Sequence, residues 1–319
     1  MASIFHYTDA SGLTGILQSK SLFATHYRCL NDLTEAAIIR DLIRPILEVE
    51  IADITPKLVK RGLLKKEFYD EYGRAGHATQ ADAMLNSIET VIDRISPFFI
   101  ISFCRHSSES DDFRHGLLSQ WRGYSDGGGF AIEFDESGID IAMNAENDRY
   151  VYGASKTADV LYSDFEKLFD PKKFHGVAGA MIARLFGKAD ISDITGRKNI
   201  DEAVRDFIHI APFLKHRGFC EEREYRMVLA PVRTKRVTLE PKFKGIAKPI
   251  RFRARRGAVV PYLEVTEFNN TLPIKAVIVG PHPNQKMQQD ALEMLFEATG
   301  LDAEIRLSEI PFLSTRVSG

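Results

Sequence analysis

The continuous apolar run Pro97-Phe-Phe-Ile-Ile-Ser-Phe103 constrains this chain more than any other segment. It has strand length and no polar alternation, which is the pattern of a strand lying centrally in a sheet. Shorter strand signals surround it at Ile4 to Thr8, Ser21 to Thr25, Phe130 to Phe134, Tyr225 to Ala230, Arg236 to Leu239, Val259 to Val265, Ile274 to Val279 and Ala303 to Leu307. Between them lie two helical blocks, at about 32–96 and 163–216. In the first, Leu42, Ile46 and Val49, then Met84, Ile88 and Val91, recur at helical spacing, and Pro45 and Pro56 are expected to start or interrupt helices. Strands framing helical blocks predict an α+β fold with a mixed or antiparallel central sheet, rather than a regular βαβ series. We read 1–319 as a single domain carrying two helical insertions.

Asp9 or Ser11 can cap a helix whose Leu13, Ile16 and Leu17 share one face. The polar end of the first strand then lies beside a helix N-terminus, where exposed amides favour an anion, and His6 is expected to face a ligand there. Later elements are a helix through Leu117, Leu118 and Trp121, a glycine turn at Gly127-Gly128-Gly129, and a final helix after Pro283 and Asn284 with Met287, Ala291 and Leu295 inward.

The chain has 42 Lys and Arg against 44 Asp and Glu, so nucleic acid or anionic lipid would have to bind through a local patch. No stretch reaches about 18 apolar residues, and the N-terminus lacks the basic leader and apolar run of a signal peptide. We therefore expect no membrane contact and a cytoplasmic location. Three widely spaced cysteines suit reduced thiols. Cys104, His106 and His115 lack the paired spacing of a zinc site, and no metal is expected.

The richest signal is a series of separated motifs. These are His6-Tyr7-Thr8 with Gly12-Leu13-x-x-Ile16-Leu17, Asn31-Asp32-x-x-Glu35, Ser102-Phe103, Gln120-Trp121-x-x-Tyr124-x-x-Gly127-x-Gly129-Phe130, Glu222-x-Glu224-Tyr225-Arg226, and Ile278-Val279-Gly280-Pro281. In order and content they resemble, over essentially the whole chain, the bacterial family known as domain of unknown function 2971. A histidine on the first strand, a Leu-x-x-Ile-Leu helix behind it and a late strand headed by Glu-x-Glu also resemble the ADP-ribosyltransferase fold. That resemblance implies NAD as substrate, with His6, Tyr7 and Thr8 near its ribose and an aromatic, Trp121 or Tyr124, against nicotinamide. It implies Glu222 or Glu224 at the nicotinamide ribose, a protein or nucleic-acid acceptor for the ADP-ribose, and a role in bacterial phage defence or as a toxin.

Chemistry gives the glutamates a rationale. Breaking the N-glycosidic bond of NAD develops positive charge on the ribose, which a nearby carboxylate stabilises. Glu222 and Glu224, two apart on a strand, would share a face. A solvated ion-pair ladder with Arg226 explains the same residues, and core packing explains His6, Tyr7, Trp121 and Tyr124. Asn31 and Asp32 read as a helix cap. Gly123-x-Ser125-x-Gly127 has the hydrolase spacing, but a helix precedes it and a strand follows, the reverse of a nucleophile elbow. Finally, Arg236, Lys242, Lys244, Arg251, Arg253 and Arg255, with Phe243 and Phe252 interleaved, form a basic segment that either binds nucleic acid or a partner protein, or protects a sheet edge.

Overall fold

The computed structural model describes residues 2–30, 34–124, 129–163, 178, 181, 209–233, 245–255, 257–268 and 271–311, without the side chains of 34–37, 68–75, 91, 95 and 124. The expected cap at Asn31 and Asp32, the glycine turn at 127–128, the strand at 236–239 and most of the second helical block lie outside the described residues. So do Arg236, Lys242, Lys244 and the side chain of Tyr124.

In chain order the elements are β1 (Ser3–Thr8), α1 (Ala10–Ser19), β2 (Leu22–His26), α2 (Thr34–Lys60), α3 (Lys66–Ile95), β3 (Phe99–Arg105), α4 (Asp111–His115) and α5 (Leu118–Tyr124). They continue with β4 (Phe130–Asp135), α6 (Glu136–Arg149), β5 (Tyr150–Asp159), β6 (Glu224–Pro231), β7 (Ile246–Ala247), β8 (Arg251–Arg255), β9 (Ala258–Val265), β10 (Ile274–Val279), α7 (Gln285–Thr299) and β11 (Glu304–Leu307). The architecture is α+β, as the sequence predicts. The chain divides into two units, one of 1–29, 99–160 and 218–319, the other of 30–98 and 161–217.

The first unit holds the sheet, which runs β11-β10-β4-β1-β3-β2-β9-β8, with β6, β5 and β7 branching from β3. Its pairs are antiparallel except β10 with β11 and β5 with β7. β3 is central, as its apolar run demands. β6 covers one edge from Phe99↔Leu229 to Cys104↔Glu224. On the other edge two strands share it: β1 pairs only at Ile4↔Arg105 and Phe5↔Cys104, and β2 only at Thr25↔Ile100 and His26↔Phe99. Ile101, Ser102 and Phe103 are thus left without a strand on that edge.

α1 links the two strands that frame this gap. Asp9 caps it by accepting from the Gly12 amide at 2.7 Å, and Leu13, Ile16 and Leu17 enter the core with Ile4, Phe103 and Ile132. Gly12 is required by close approach, since a Cβ there would fall 1.9 Å from Thr8 Oγ1. In α7 the inward face is Leu292 and Phe296 rather than the expected Met287 and Ala291, which are exposed.

In the second unit, α2 continues through both Pro45 and Pro56 instead of breaking at them. Ile39, Ile43, Leu47, Ile51, Ile54 and Leu58 form one buried stripe along it, and burial at about 1.5–3 kcal/mol per large side chain outweighs about 3 kcal/mol per interior proline. The stripe is offset from the expected one, leaving Val49 exposed. Arg40 with Glu89 and Arg44 with Asp82 tie α2 to α3.

A buried charge pair anchors the segment before β8 to α6 in the first unit. Lys248 Nζ donates to both oxygens of Glu146 at 2.8 Å, and the Tyr152 hydroxyl and Thr266 amide also donate to that carboxylate. Lys248→Met should cost about 3–5 kcal/mol by leaving the carboxylate without its cation, and Glu146→Met with Lys248→Met should recover much of it. Urea unfolding of Lys248→Met, Glu146→Met and the double variant measures this; a double variant as unstable as the summed singles would show that the pair is not coupled.

Candidate functional site

His6 occupies the gap in the edge of β3. Its Nδ1 lies 2.9 Å from the carbonyl of Ser102, so Nδ1 carries the proton and the ring closes a backbone acceptor that no strand reaches. Its ring meets Phe103 edge-on at 5.8 Å. Burial holds the imidazole below its ordinary value of 6.5, the Ser102 contact opposes this, and the nearby Arg253 charge lowers it further. The ring is therefore neutral at pH 7, and its Nε2 has no hydrogen-bond partner among the described residues. That leaves a lone pair able to accept from a hydroxyl.

Tyr7 points the other way. Strand alternation puts His6 with Ile4 and Thr8, whereas Tyr7 joins Phe5, Cys104, Trp121, Ala131 and Ile278 in a separate cluster. The Tyr7 hydroxyl, pushed up by burial and therefore protonated, donates to His106 Nε2 at 2.8 Å and accepts the Leu117 amide at 2.8 Å. The expectation of one ligand site holding both His6 and Tyr7 is thus not what β1 builds. Trp121 is core: it is 1% exposed, its Nε1 donates to the His115 carbonyl at 3.0 Å, and its ring stacks edge-on against Tyr7 at 4.9 Å. Thr8 stays half-buried over the first turn of α1.

The two glutamates part company. Glu222 ends a 3-10 helix (Arg217–Glu222), and Arg223 takes φ 41°, so the pair does not alternate along a strand as expected. Glu222 remains half-buried. Glu224 is the first residue of β6, is 3% exposed, and receives Arg226 Nε at 2.7 Å and Nη2 at 2.9 Å. It is therefore a buried, neutralised carboxylate, and its pair with Arg226 is an interior one rather than a solvated ladder. Opposite Cys104 in the ladder, it lies on the Tyr7 face and not on that of His6.

Of the basic segment, Arg251, Arg253 and Arg255 stand on one face of β8. Arg251 pairs with Glu264 at 2.8 Å. Arg253 donates to Thr25 Oγ1 at 3.0 Å and lies over the rings of Phe23 and Tyr262. Arg255 is exposed, as is Phe252. Sequence reasoning missed His106 as the partner of Tyr7, and the separate environment of Arg253. Neither has a local signal, since both depend on strands far apart in the chain.

With this geometry in place, the chain can be compared with known proteins. Residues 120–227 match the family described as protein of unknown function (DUF2971). The DUF2971 segment is about a third of the chain and runs from α5 into β6, taking in Trp121, Glu222, Glu224 and Arg226. His6, Tyr7 and Thr8 lie outside it, so the match is narrower than the motif series implies. No curated protein and no solved structure matches the chain. Among the described residues no helix is long and apolar enough to cross a membrane.

The buried Tyr7–His106 contact predicts a pH dependence. Burial first, and the Arg223 charge second, hold His106 at about 4 against 6.5 for a free histidine, with the Arg105 backbone opposing. A histidine depressed in the folded chain gives stability that is complete above 6.5, falls as the unfolded chain takes up the proton, and is gone near 4. The loss over that window is on the order of 3 kcal/mol. Unfolding free energies from pH 7 to 4 should fall more steeply for the native protein than for His106→Asn; parallel curves would show that another group is responsible.

Proposed function

We propose that this chain binds NAD at the gap between β1 and β2 and acts on it as an ADP-ribosyltransferase-like enzyme. The observation that carries the reading is His6: a neutral imidazole locked by Ser102 in the one tautomer that presents a lone pair at a break in the sheet. A ribose hydroxyl is the matching donor. The likeness of the first-strand histidine to that fold supports the same assignment.

In the proposed reaction the bond from ribose C1′ to the nicotinamide nitrogen breaks, and its electron pair leaves with nicotinamide. A carboxylate stabilises the oxocarbenium-like ribose while water, or a nucleophile on a protein or nucleic acid, adds to C1′ and gives up its proton. Glu222 or Glu224 would supply that carboxylate, and Glu224 already carries the Arg226 guanidinium on it. No metal takes part in this scheme. A bacterial defence or toxin role would follow from such a reaction.

Nicotinamide release by the purified protein tests this directly, and none from the native chain would remove the enzymatic reading. Glu222→Gln should lower turnover by about 10²- to 10³-fold, read beside the melting temperature so that lost activity is not lost fold. Glu224→Gln should instead act on stability, costing about 3–5 kcal/mol by leaving Arg226 buried without its anion. Native turnover in Glu222→Gln sinks its role.

The exposed Arg255 and Phe252 on the outermost strand of the described sheet favour a second reading, a nucleic-acid or protein surface on the 235–256 segment. Its mark is salt-sensitive RNA or DNA binding that survives substitution of His6.

A further inference from the structure

Arg253 differs from the arginines beside it on β8. Its guanidinium lies 5.8 Å from the centre of the Phe23 ring and 5.4 Å from that of Tyr262, and it donates a hydrogen bond to the neutral hydroxyl of Thr25. Its Nε is buried and has no hydrogen-bond partner among the described residues. No carboxylate of the described residues lies within ion-pair distance, whereas two positions earlier Arg251 has Glu264. A partly buried guanidinium with an unused N–H is costly unless something anionic completes it.

Three things identify the anion. The planar guanidinium fork suits a phosphate or carboxylate. Thr25, which Arg253 holds, pairs with Ile100 on the β2 side of the gap that His6 closes from the β1 side, so the two groups border the same gap, and the Arg253 charge helps hold the imidazole neutral. Asp9, at the start of α1, also acts on Arg253 from a distance, but its carboxylate is engaged by the Gly12 amide and the Ser11 hydroxyl. A cation and a hydroxyl acceptor border one gap, and together they suit a phosphate attached to a sugar.

We infer that Arg253 is the receptor for a nucleotide phosphate and, if the NAD reading above holds, that it binds the pyrophosphate while His6 takes the ribose. Thr25, Phe23 and Tyr262 orient the guanidinium and hold it at the gap. The phosphate completes the buried Nε, and the aromatic rings limit access of water to the contact.

The test is calorimetric titration of the full chain with ADP and with adenosine, at low and high salt, using native protein and Arg253→Met. Methionine keeps the apolar stem between the rings and removes the charge. Native protein should bind ADP more tightly than adenosine, and Arg253→Met should lower ADP affinity about 10- to 100-fold while leaving adenosine affinity unchanged. Equal ADP affinity in the two proteins overturns the assignment, as does native protein that binds ADP no better than adenosine. Should Arg253→Met not fold, the native protein still decides the matter, because ADP must raise its melting temperature more than adenosine does at equal concentration, and equal shifts overturn the assignment. ADP binding without nicotinamide release would retain the phosphate site and remove only the enzymatic reading. Displacement of ADP by a single-stranded oligonucleotide at equal phosphate concentration would reassign the phosphate to nucleic acid and overturn the nucleotide site.

Discussion

A buried strand edge must have its carbonyls and amides satisfied, and in the middle of β3 no strand does this. β1 covers only the last residues of that edge and β2 only the first, because the two are separate strands joined through α1. The Ser102 carbonyl between them is closed by the His6 side chain. One hydrogen bond thus reconciles a central strand with a divided neighbour. It also sets the tautomer of His6 and the direction of its remaining lone pair.

The charged groups of the sheet fall into two kinds. Glu224 with Arg226, and Glu146 with Lys248, are closed pairs in which carboxylate and cation satisfy each other in the interior. Such pairs hold geometry but have little left to offer a ligand, and removing one member exposes the cost of the other. Arg253 is of the second kind, supported by a hydroxyl and two rings but with no opposite charge on it among the described residues. The difference between Arg226 and Arg253 is one of partner, not of residue type: a carboxylate for the first, a hydroxyl and two rings for the second.

Some elements were readable and others were not, for identifiable reasons. The apolar run of β3, the Asp9-capped helix α1 and the strands β4, β6, β9 and β10 carry their own local signals. α6 and β5 do not. In α6 the buried set is Ile139, Ala142, Met143 and Glu146, so a charge stands where the apolar stripe should continue, and only Lys248 from far along the chain makes that burial tolerable. β8 reads as a basic run, because its residues are largely exposed and its strand character comes from pairing with β9. The inner faces of α2 and α7 were offset because periodicity locates a stripe only to within a residue when both neighbouring positions are apolar.

The sequence by itself determined the α+β class and the centrality of the Phe99–Arg105 strand, and it singled out His6, the two glutamates and the arginines as candidates for chemistry. Their division was already implicit in the alternation of β1, which sends His6 and Tyr7 to opposite faces. Only the tertiary structure decided the rest. It set Glu224 against Arg226 in the interior, turned Glu222 out of the strand through the left-handed Arg223, enclosed Trp121, and brought Arg253 onto Thr25 from a distant part of the chain. The reason is that burial and charge pairing are properties of the partner, and a partner on a distant strand leaves no mark in local spacing.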